Sequence, residues 1–342
     1  MTLSPIAVIG AGMAGLSCAQ TLAQAGLSVH LLDKSRGPSG RMSTRRAEDP
    51  QGAWQCDHGA PFFTATDLSF REEVMRWEQC GAAASWLVRI ARHDGQRLVA
   101  MDTSTQRFVG TGRMTAPAAL LVRELAALPG QPVHMHLQTT VQGMQAGEAG
   151  WTLQSAEHGR SAVGYRAVLV AIPAPQAHAL LAASMPQAAQ LASSARMDAC
   201  WTVMLRSDHP VQWPCDGAII EQGPLRWVAR DSSKPGRTGP ETWIVHASAQ
   251  WSADHLEDDA ASVTAQLLQA FADMGGPAPG SLRATAHRWR YANAAPGLGI
   301  DCWWDASHAV GMCGDWLHDG GVQGAWLSGR ALARRALQTL AA

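Results

Sequence analysis

Gly10, Gly12 and Gly15 follow directly on the apolar run Ile6–Ile9 and open a helical segment reaching about Ala25. Leu16, Ala19, Leu22 and Ala23 share one face of that segment, and Gly26 supplies its stop. Ser28–Leu32 then reads as a second strand ending in Asp33, 18 residues after the last glycine. A strand, a Gly-x-Gly-x-x-Gly turn, a helix and a strand-end acid define a βαβ unit built to receive a dinucleotide. Gly10 permits the tight turn, Gly12 lets the backbone approach a pyrophosphate, and Gly15 lets the helix pack closely on the strand. The amides of Met13 and Ala14 lie at the helix N-terminus, whose partial positive charge favours phosphates. Asp33 is placed to accept hydrogen bonds from ribose hydroxyls, with Lys34 at the same corner.

The rest of the chain alternates between two textures. Helices are expected over Leu68–Cys80 and Pro117–Leu128, short strands over Val133–Leu137, Val141–Met144 and Trp151–Leu153, and a buried strand over Val168–Ile172. From about residue 174 the pattern changes. Two short helices (175–183 and 186–196) precede alternating strands at Cys200–Leu205, Arg226–Arg230 and Thr242–Ala247, and a helix over about 257–274. A strand over Ala309–Cys313 and a helix over Val322–Ala341 close the sequence. The dinucleotide-type signals sit at both ends and in the middle, so one domain is expected to be discontinuous: 1–75, 106–173 and 286–342, with 76–105 and 174–285 forming a second. No internal repeat or low-complexity linker is visible.

Composition excludes several classes. In 342 residues, 46% are hydrophobic and 16% charged, which suits a chain with a sizeable core rather than a disordered one. A formal net charge of −1, without basic runs, argues against nucleic acid. Seven cysteines without paired spacing fit a reduced, cytoplasmic setting. The apolar stretch Ile6–Leu16 lacks a basic leader and is interrupted by glycine, so it reads as neither signal peptide nor membrane span. His134 and His136 fall on one strand face without an evident third ligand, so no metal site is expected. Glu257, Asp258 and Asp259 read as first-turn acids that complement a helix dipole.

Further motifs follow the first. Arg36–Ser43 contains a glycine turn at Gly40 flanked by arginines, suited to a second approach to a pyrophosphate with Arg41 as counter-charge. Asp57, His58, Gly59, Ala60, Pro61, Phe62 and Phe63 form a turn with two aromatics. Near the C-terminus Gly314 and Asp315 end a strand, and Gly320–Ala325 opens the last helix. The segments DKSRGPSGRMSTRR, DHGAPFFTA, TWIVHASAQWS, AHRWRYA and CGDWLHDGGVQGAWLSGRAL resemble the flavoprotein superfamily that includes amine oxidases, and within it the renalase-like oxidoreductases.

That resemblance covers the whole chain. It implies an α/β fold: a doubly wound, Rossmann-type FAD-binding domain, discontinuous, with a substrate domain of mixed β-sheet plus helices. It implies that Gly40, Arg41 and Met42 contact the pyrophosphate and flavin side, that Asp57 through Phe63 run along the isoalloxazine, and that the Val141 backbone holds the adenine. Asp315, beside Gly314, is expected at the ribityl chain or pyrophosphate. Gln323, Gly324 and Ala325 are expected to aim backbone N–H groups at flavin N1 and O2, where a helix N-terminus stabilises the charge of the reduced ring. The small residues Gly321, Gly324, Ser328 and Gly329 are expected to let this helix approach cofactor and sheet. FAD is expected to be non-covalent, His58 making a backbone contact rather than a covalent link.

On the substrate side His246 lies inside a strand and Arg230 ends another. His287, Trp289 and Tyr291 alternate onto one strand face. His246, Trp289, Tyr291 and Arg230 are the expected substrate-contacting residues; stacking surface and hydrogen-bond donors suit a planar substrate, although a satisfied core is the plainer reading of the same pattern. The resemblance implies an oxidase that takes a hydride from misreduced 2- or 6-dihydro-NAD(P) to flavin N5. It would return oxidised NAD(P) and pass the electrons to molecular oxygen, giving hydrogen peroxide. Two alternatives share the cofactor: an amine oxidase acting on a small amine, and a flavin-binding redox protein without turnover. Many amine oxidases place a lysine near N5, and this chain has only Lys34, at the ribose corner, and Lys234, which reads as a loop residue.

Overall fold

A computed structural model describes residues 4–50, 52–102, 104–130, 133–294 and 296–340. The chain forms two compact units, Met1–Gly40 with Pro117–Met197 and Asn293–Ala342, and Arg41–Ala116 with Asp198–Ala292. Compactness divides the chain at other points than the expected domain bounds. Residues 41–75, 106–116 and 286–292 belong to the second unit, and 174–197 to the first.

The first unit is built on a six-stranded sheet. Its order is Trp303–Asp305, Val310–Met312, Ala167–Val170, Ile6–Ile9, Val29–Leu32 and His134–His136. All neighbours pair in parallel except the edge strand Trp303–Asp305. The central strands Ile6–Ile9 and Ala167–Val170 are buried at every position, as parallel strands covered on both faces must be. Helices Met13–Gln24 and Gly321–Leu340 pack together; the Ser17 hydroxyl donates to the Trp326 carbonyl at 2.9 Å. A methyl at Gly329 would be built into the carbonyl of Ala14. Against the sheet's other face lie the meander of Val141–Gly147, Gly150–Ser155 and Gly159–Arg160 and the helices Ala174–Leu181 and Pro186–Ser193. These two helices were expected to open the second domain; instead Ala174, Ala177, Leu181 and Ala188 are buried in the same core cluster as Val168 and Val170. Ala341, the expected last residue of the final helix, lies outside the described residues.

The second unit carries a seven-stranded sheet: Arg283–Ala294, Met197–Ser207, Glu241–Ala247, Leu225–Arg230, Gly217–Ile220, Ile90–His93 and Leu98–Ala100. The pair Gly217–Ile220 and Ile90–His93 runs parallel, which makes the sheet mixed. Helix Ala260–Asp273 covers one face, burying Val263, Leu267 and Phe271 against Trp213, Trp243 and Val245. Asp259 is the N-cap of this helix, accepting from the amides of Ala261 and Ser262 at 3.0 and 2.9 Å. Glu257 precedes the helix and pairs with Arg288 and Arg290 instead of complementing the dipole. The hairpin Thr44–Asp49 with Gly52–Asp57 and the pair Ala83–Ser85 with Phe108–Gly110 complete the unit; neither was expected. The seven cysteines form no disulfide. Among the described residues, no helix is long and apolar enough to cross a membrane.

Candidate functional site

The glycine turn of the first unit has the backbone that a dinucleotide requires. Gly10 sits at φ +109°, a region that L side chains rarely adopt, and its Cβ would lie 2.5 Å from the Ala171 carbonyl oxygen. A methyl at Gly15 would be built into the Gly10 carbonyl, so the helix rests directly on the turn. Gly12 caps the helix with extended backbone and no side-chain hydrogen bond, and no acid occupies the first turn. The amides of Met13 and Ala14 therefore meet neither a side-chain cap nor an acid, the arrangement that accepts an anion. The second glycine turn lies against the first. Ser39 N–H donates to the Ala11 carbonyl at 2.9 Å, and a Cβ at Gly40 would sit 3.1 Å from Gly12 Cα.

Asp33 does two things at the end of its strand. Its carboxylate accepts from Ala11 N–H at 2.6 Å and from Ser35 N–H at 2.7 Å, bracing the glycine turn. Each oxygen retains one lone-pair position, and the residue is half-buried, so it can still receive a ribose hydroxyl. Lys34 is exposed. Val141 begins its strand at a bulge between Val141 and Gly143, where the regular ladder is interrupted. At the other end of the unit Gly314 N–H donates to Ser328 Oγ at 3.0 Å, and Asp315 is buried and accepts the Gly320 amide on its carbonyl. The last helix begins at Gly321 with no acid in its first turn; Gln323 is half-buried, and Gly324 and Ala325 are buried. Of its small residues, Ser328 and Gly329 serve the strand end and the neighbouring helix, while Gly321 is exposed with open space around it. The uncapped, acid-free N-terminus of the helix Met13–Gln24 and the two glycine turns fit a dinucleotide cofactor.

His30 adds a third imidazole to the pair on strand His134–His136, its ring 5.1 Å from His134 and 5.0 Å from His136. Burial, then His136 and His134, push its pKa down to about 4. Among the described residues, no group of three His, Cys, Asp or Glu is arranged to hold a metal ion.

In the second unit the segments around Arg41 and His58 lie side by side. Ala60 N–H donates to the Arg41 carbonyl at 2.9 Å and His58 N–H to the Ser43 carbonyl at 3.2 Å. A side chain at Gly59 would be built into that Arg41 carbonyl. Arg41 is half-buried and donates to the Ala292 carbonyl at 3.0 Å; Met42 is buried. Pro61 and Phe62 are half-buried. Two residues of this turn depart from the expected row of cofactor contacts. Phe63 is core, stacked on Phe108 and exchanging both backbone hydrogen bonds with it. Asp57 is fully buried, and its four acceptor positions are taken. Oδ1 accepts from Thr44 Oγ1 at 2.6 Å and Met114 N–H at 3.0 Å; Oδ2 accepts from Lys234 Nζ at 2.9 Å and from Arg237.

Asp57 belongs to a buried ion cluster that the sequence did not reveal. Lys234, expected in a surface loop, has a fully buried side chain and also pairs with Asp231 at 2.6 Å. Burial opposes its ammonium, but Asp231 and Asp57 outweigh that and hold its pKa above the ordinary lysine value. Burial likewise opposes the Asp57 carboxylate, while Lys234, Arg237 and the hydrogen bonds from Thr44 and Met114 hold its pKa well below the usual range. The charges Asp57, Asp231, Lys234 and Arg237 balance. The only local signal is the spacing of Asp231, Lys234 and Arg237 around a Pro-Gly turn.

Beside this cluster stand two imidazoles. His58 stacks on Trp289 at 5.3 Å and meets the edge of His287 at 4.8 Å. Burial, then His287 and Arg45, push its pKa down to about 4. Burial, then Lys234 and His58, push His246 down to about 3. Both rings are neutral at ordinary pH, and both have a buried nitrogen without a partner among the described residues, Nδ1 of His58 and Nε2 of His246. Trp289 already donates from Nε1 to the His58 carbonyl at 2.8 Å, so it holds His58 in place. Tyr291 is half-buried on the same strand, and its hydroxyl hydrogen-bonds to no described residue. Arg230 departs from the expected group. It pairs across the sheet with Trp243 and lies over that ring at 5.0 Å, whereas His246 pairs with Trp227. Alternation therefore puts Arg230 on the sheet face opposite His246, where it donates to the Val211 carbonyl and faces Glu241. It does not share a site with His246.

Comparison with known proteins agrees with this architecture. A candidate protoporphyrinogen oxidase of Exiguobacterium sp. 255-15 superposes with a TM-score of 0.75 at 12% identity, covering 99% of this chain and 100% of that one. Putrescine oxidase bound to putrescine superposes with a TM-score of 0.70 at 11% identity, covering 99% of each chain. At such identities the likeness establishes the fold. The model of the NAD(P)-binding Rossmann-like domain matches residues 8–77, and that of flavin containing amine oxidoreductases matches residues 76–337. The second match spans most of the sequence: the chain belongs to the flavin-containing amine oxidoreductase family.

Proposed function

We propose that this flavin-dependent oxidoreductase is a renalase-like oxidase of misreduced 2- or 6-dihydro-NAD(P), working with non-covalent FAD in a reduced, cytoplasmic setting. The observation that carries the reading is the pair of neutral imidazoles, His58 and His246, each with a buried nitrogen that no described residue partners, His58 being stacked on the indole of Trp289. An uncharged planar ring bearing a carboxamide satisfies such groups. An ammonium substrate requires a counter-charge, and the carboxylates of the buried ion cluster, Asp57 and Asp231, are both engaged by Lys234. The same pairing occupies two of the three Nζ donors of Lys234.

The chemistry that a bound FAD would supply is hydride acceptance from the substrate and delivery of the two electrons to oxygen. The residues of the chain have separate tasks. In the first unit the turn at Gly10, Gly12 and Gly15 and the amides of Met13 and Ala14 hold a pyrophosphate. Asp33 and Lys34 serve the ribose, Val141 the adenine, and Gly314, Asp315, Gln323, Gly324 and Ala325 the ribityl chain and flavin ring. In the second unit Arg41, Met42, Gly59, Ala60, Pro61 and Phe62 supply further cofactor contacts. His246 and His58 hydrogen-bond the substrate carboxamide, Tyr291 offers a further donor, and Trp289 orients His58. Orientation is the main requirement of hydride transfer, so no acid–base pair is needed.

Aerobic turnover tests the reading through its products. One NAD(P)+ and one hydrogen peroxide should form for each 2- or 6-dihydro isomer consumed. Release of ammonia and an aldehyde from a small amine, with the isomers inert, would replace this reading with the amine oxidase one.

A further inference from the structure

Arg107 is a buried cation without an anion. Its residue is 9% exposed, and among the described residues no carboxylate pairs with it. Its one hydrogen bond runs from Nη1 to the Thr105 carbonyl at 2.9 Å, while Nε is buried and unpartnered. A guanidinium has five N–H donors, and only one of them meets an acceptor among the described residues. Leaving a donor such as Nε dry and unpaired is costly, and a buried charge ordinarily has a counter-ion. Burial alone pulls the Arg107 pKa down, with no nearby acid acting against it.

Its surroundings are those of a ligand wall. The guanidinium carbon lies 5.4 Å from the centre of the Phe62 ring, in the turn that follows His58. Phe62 also meets Trp227 edge-on at 5.4 Å and leans towards Trp86 at 6.4 Å. Trp227 is 6% exposed, and its Nε1 is a second buried N–H without an acceptor. It pairs across the sheet with His246, so the unsatisfied donors lie on the face that carries the neutral imidazoles. Two independent orphaned donors thus flank one half-buried aromatic ring, and both ask for an acceptor.

We propose that Arg107, with Trp227 Nε1 beside it, is the oxyanion-binding element of the substrate site, holding a phosphoryl or carboxylate group of the substrate while the Phe62, Trp86 and Trp227 rings pack against its apolar part. This deepens the proposed function, because it rests on the second unit being the part that receives substrate. A phosphoryl group of a dinucleotide and a carboxylate on an aromatic acid offer the same acceptor oxygens, and the test separates them.

The FAD-loaded protein is titrated with inorganic pyrophosphate and, separately, with benzoate, following the melting temperature and the visible absorption of the flavin. Saturable binding is expected for wild type, with Kd at least tenfold weaker in Arg107→Gln and intermediate in Arg107→Lys. Trp227→Phe, which removes one N–H and keeps the ring, is expected to weaken binding about threefold. Binding of pyrophosphate that competes with a dihydronicotinamide dinucleotide assigns the oxyanion to a phosphoryl group; binding of benzoate alone assigns it to a carboxylate. Absence of saturable binding in wild type, or equal Kd in Arg107→Gln, overturns the proposal. If Arg107→Gln does not fold, Arg107→Lys and Trp227→Phe carry the same test, and unchanged Kd in both overturns it. Should the anions bind through Arg107 while no dihydronicotinamide reduces the flavin, the oxyanion site stands and the substrate assignment falls. Should the isomers reduce the flavin with the same KM in wild type and Arg107→Gln, the Arg107 proposal falls alone.

Discussion

Asp57→Asn tests whether the buried ion cluster holds the second unit together. The substitution keeps the shape of the side chain but removes one of two anions facing Lys234 and Arg237. An amide nitrogen in either position would then face donors: Lys234 and Arg237 on one side, Thr44 and the Met114 amide on the other. The side chains of Asp57, Lys234 and Arg237 are buried, so water cannot replace the acceptor lost to the two cations. Breaking a buried ion pair by removing one partner costs about 3–5 kcal/mol, because the other charge is left uncompensated. At about 2–4 °C per kcal/mol for a unit of this size, the melting temperature should drop by about 6–20 °C. Differential scanning calorimetry or circular dichroism melts of the FAD-loaded protein read this directly. The double variant Asp57→Asn with Lys234→Met removes one charge of each sign and leaves Asp231 facing Arg237. It should be more stable than the sum of the two single losses by about 1–3 kcal/mol. An Asp57→Asn protein within about 1 kcal/mol of wild type, or strictly additive losses, would refute the coupling inferred from the geometry.

Other consequences follow from single residues. Asp33→Ala should weaken FAD binding by about 1–3 kcal/mol, the scale of charge-assisted hydrogen bonds, since the carboxylate braces Ala11 and faces the ribose corner; an equilibrium dialysis Kd equal to wild type contradicts this. Gly15→Ala drives a methyl into the Gly10 carbonyl and should abolish FAD uptake, with a wild-type flavin content as the contrary result. His58 and His246 titrate near 4 and 3 in the folded protein and near 6.5 when unfolded, so the unfolded state binds more protons between these values. Stability should therefore be full above about pH 6.5 and fall as pH drops from there towards 4, on the order of 1.4 kcal/mol per pH unit for each imidazole. Urea midpoints that stay level from pH 7 to pH 4.5 would argue against two buried neutral rings.

What was legible in the sequence was local or periodic. The glycine fingerprint, its helix and Asp33 lie within a few turns of one another, and the spacing is itself the structure. The strands Glu241–Ala247 and Leu225–Arg230 were readable from their apolar pattern, but not which neighbours their faces meet. Arg230 was grouped with His246 because both lie in strands; only the cross-strand register, with its shift between Leu225 and Trp227, sends the two to opposite faces. The ion cluster was invisible because Asp57 and Lys234 are 177 positions apart and each looks like a loop charge alone. His30 stayed hidden for the same reason, being brought to His134 by parallel pairing of distant strands. Arg107 has no distinguishing neighbours in sequence; its significance appears only with its burial and its missing partner.

Reduction of the bound flavin under nitrogen, followed by stopped flow, bears most directly on what the enzyme oxidises. The 2- and 6-dihydro isomers of NAD(P) should bleach the flavin rapidly, whereas ordinary NADH and simple monoamines should do so slowly. Trp289→Ala, which frees the His58 ring from its stack and its carbonyl from the indole N–H, should slow the isomers while leaving FAD content unchanged. Displacing the donor by about 1 Å can cost around a hundredfold in rate. Rapid bleaching by ordinary NADH or by a monoamine, with none by the isomers, would contradict the assignment.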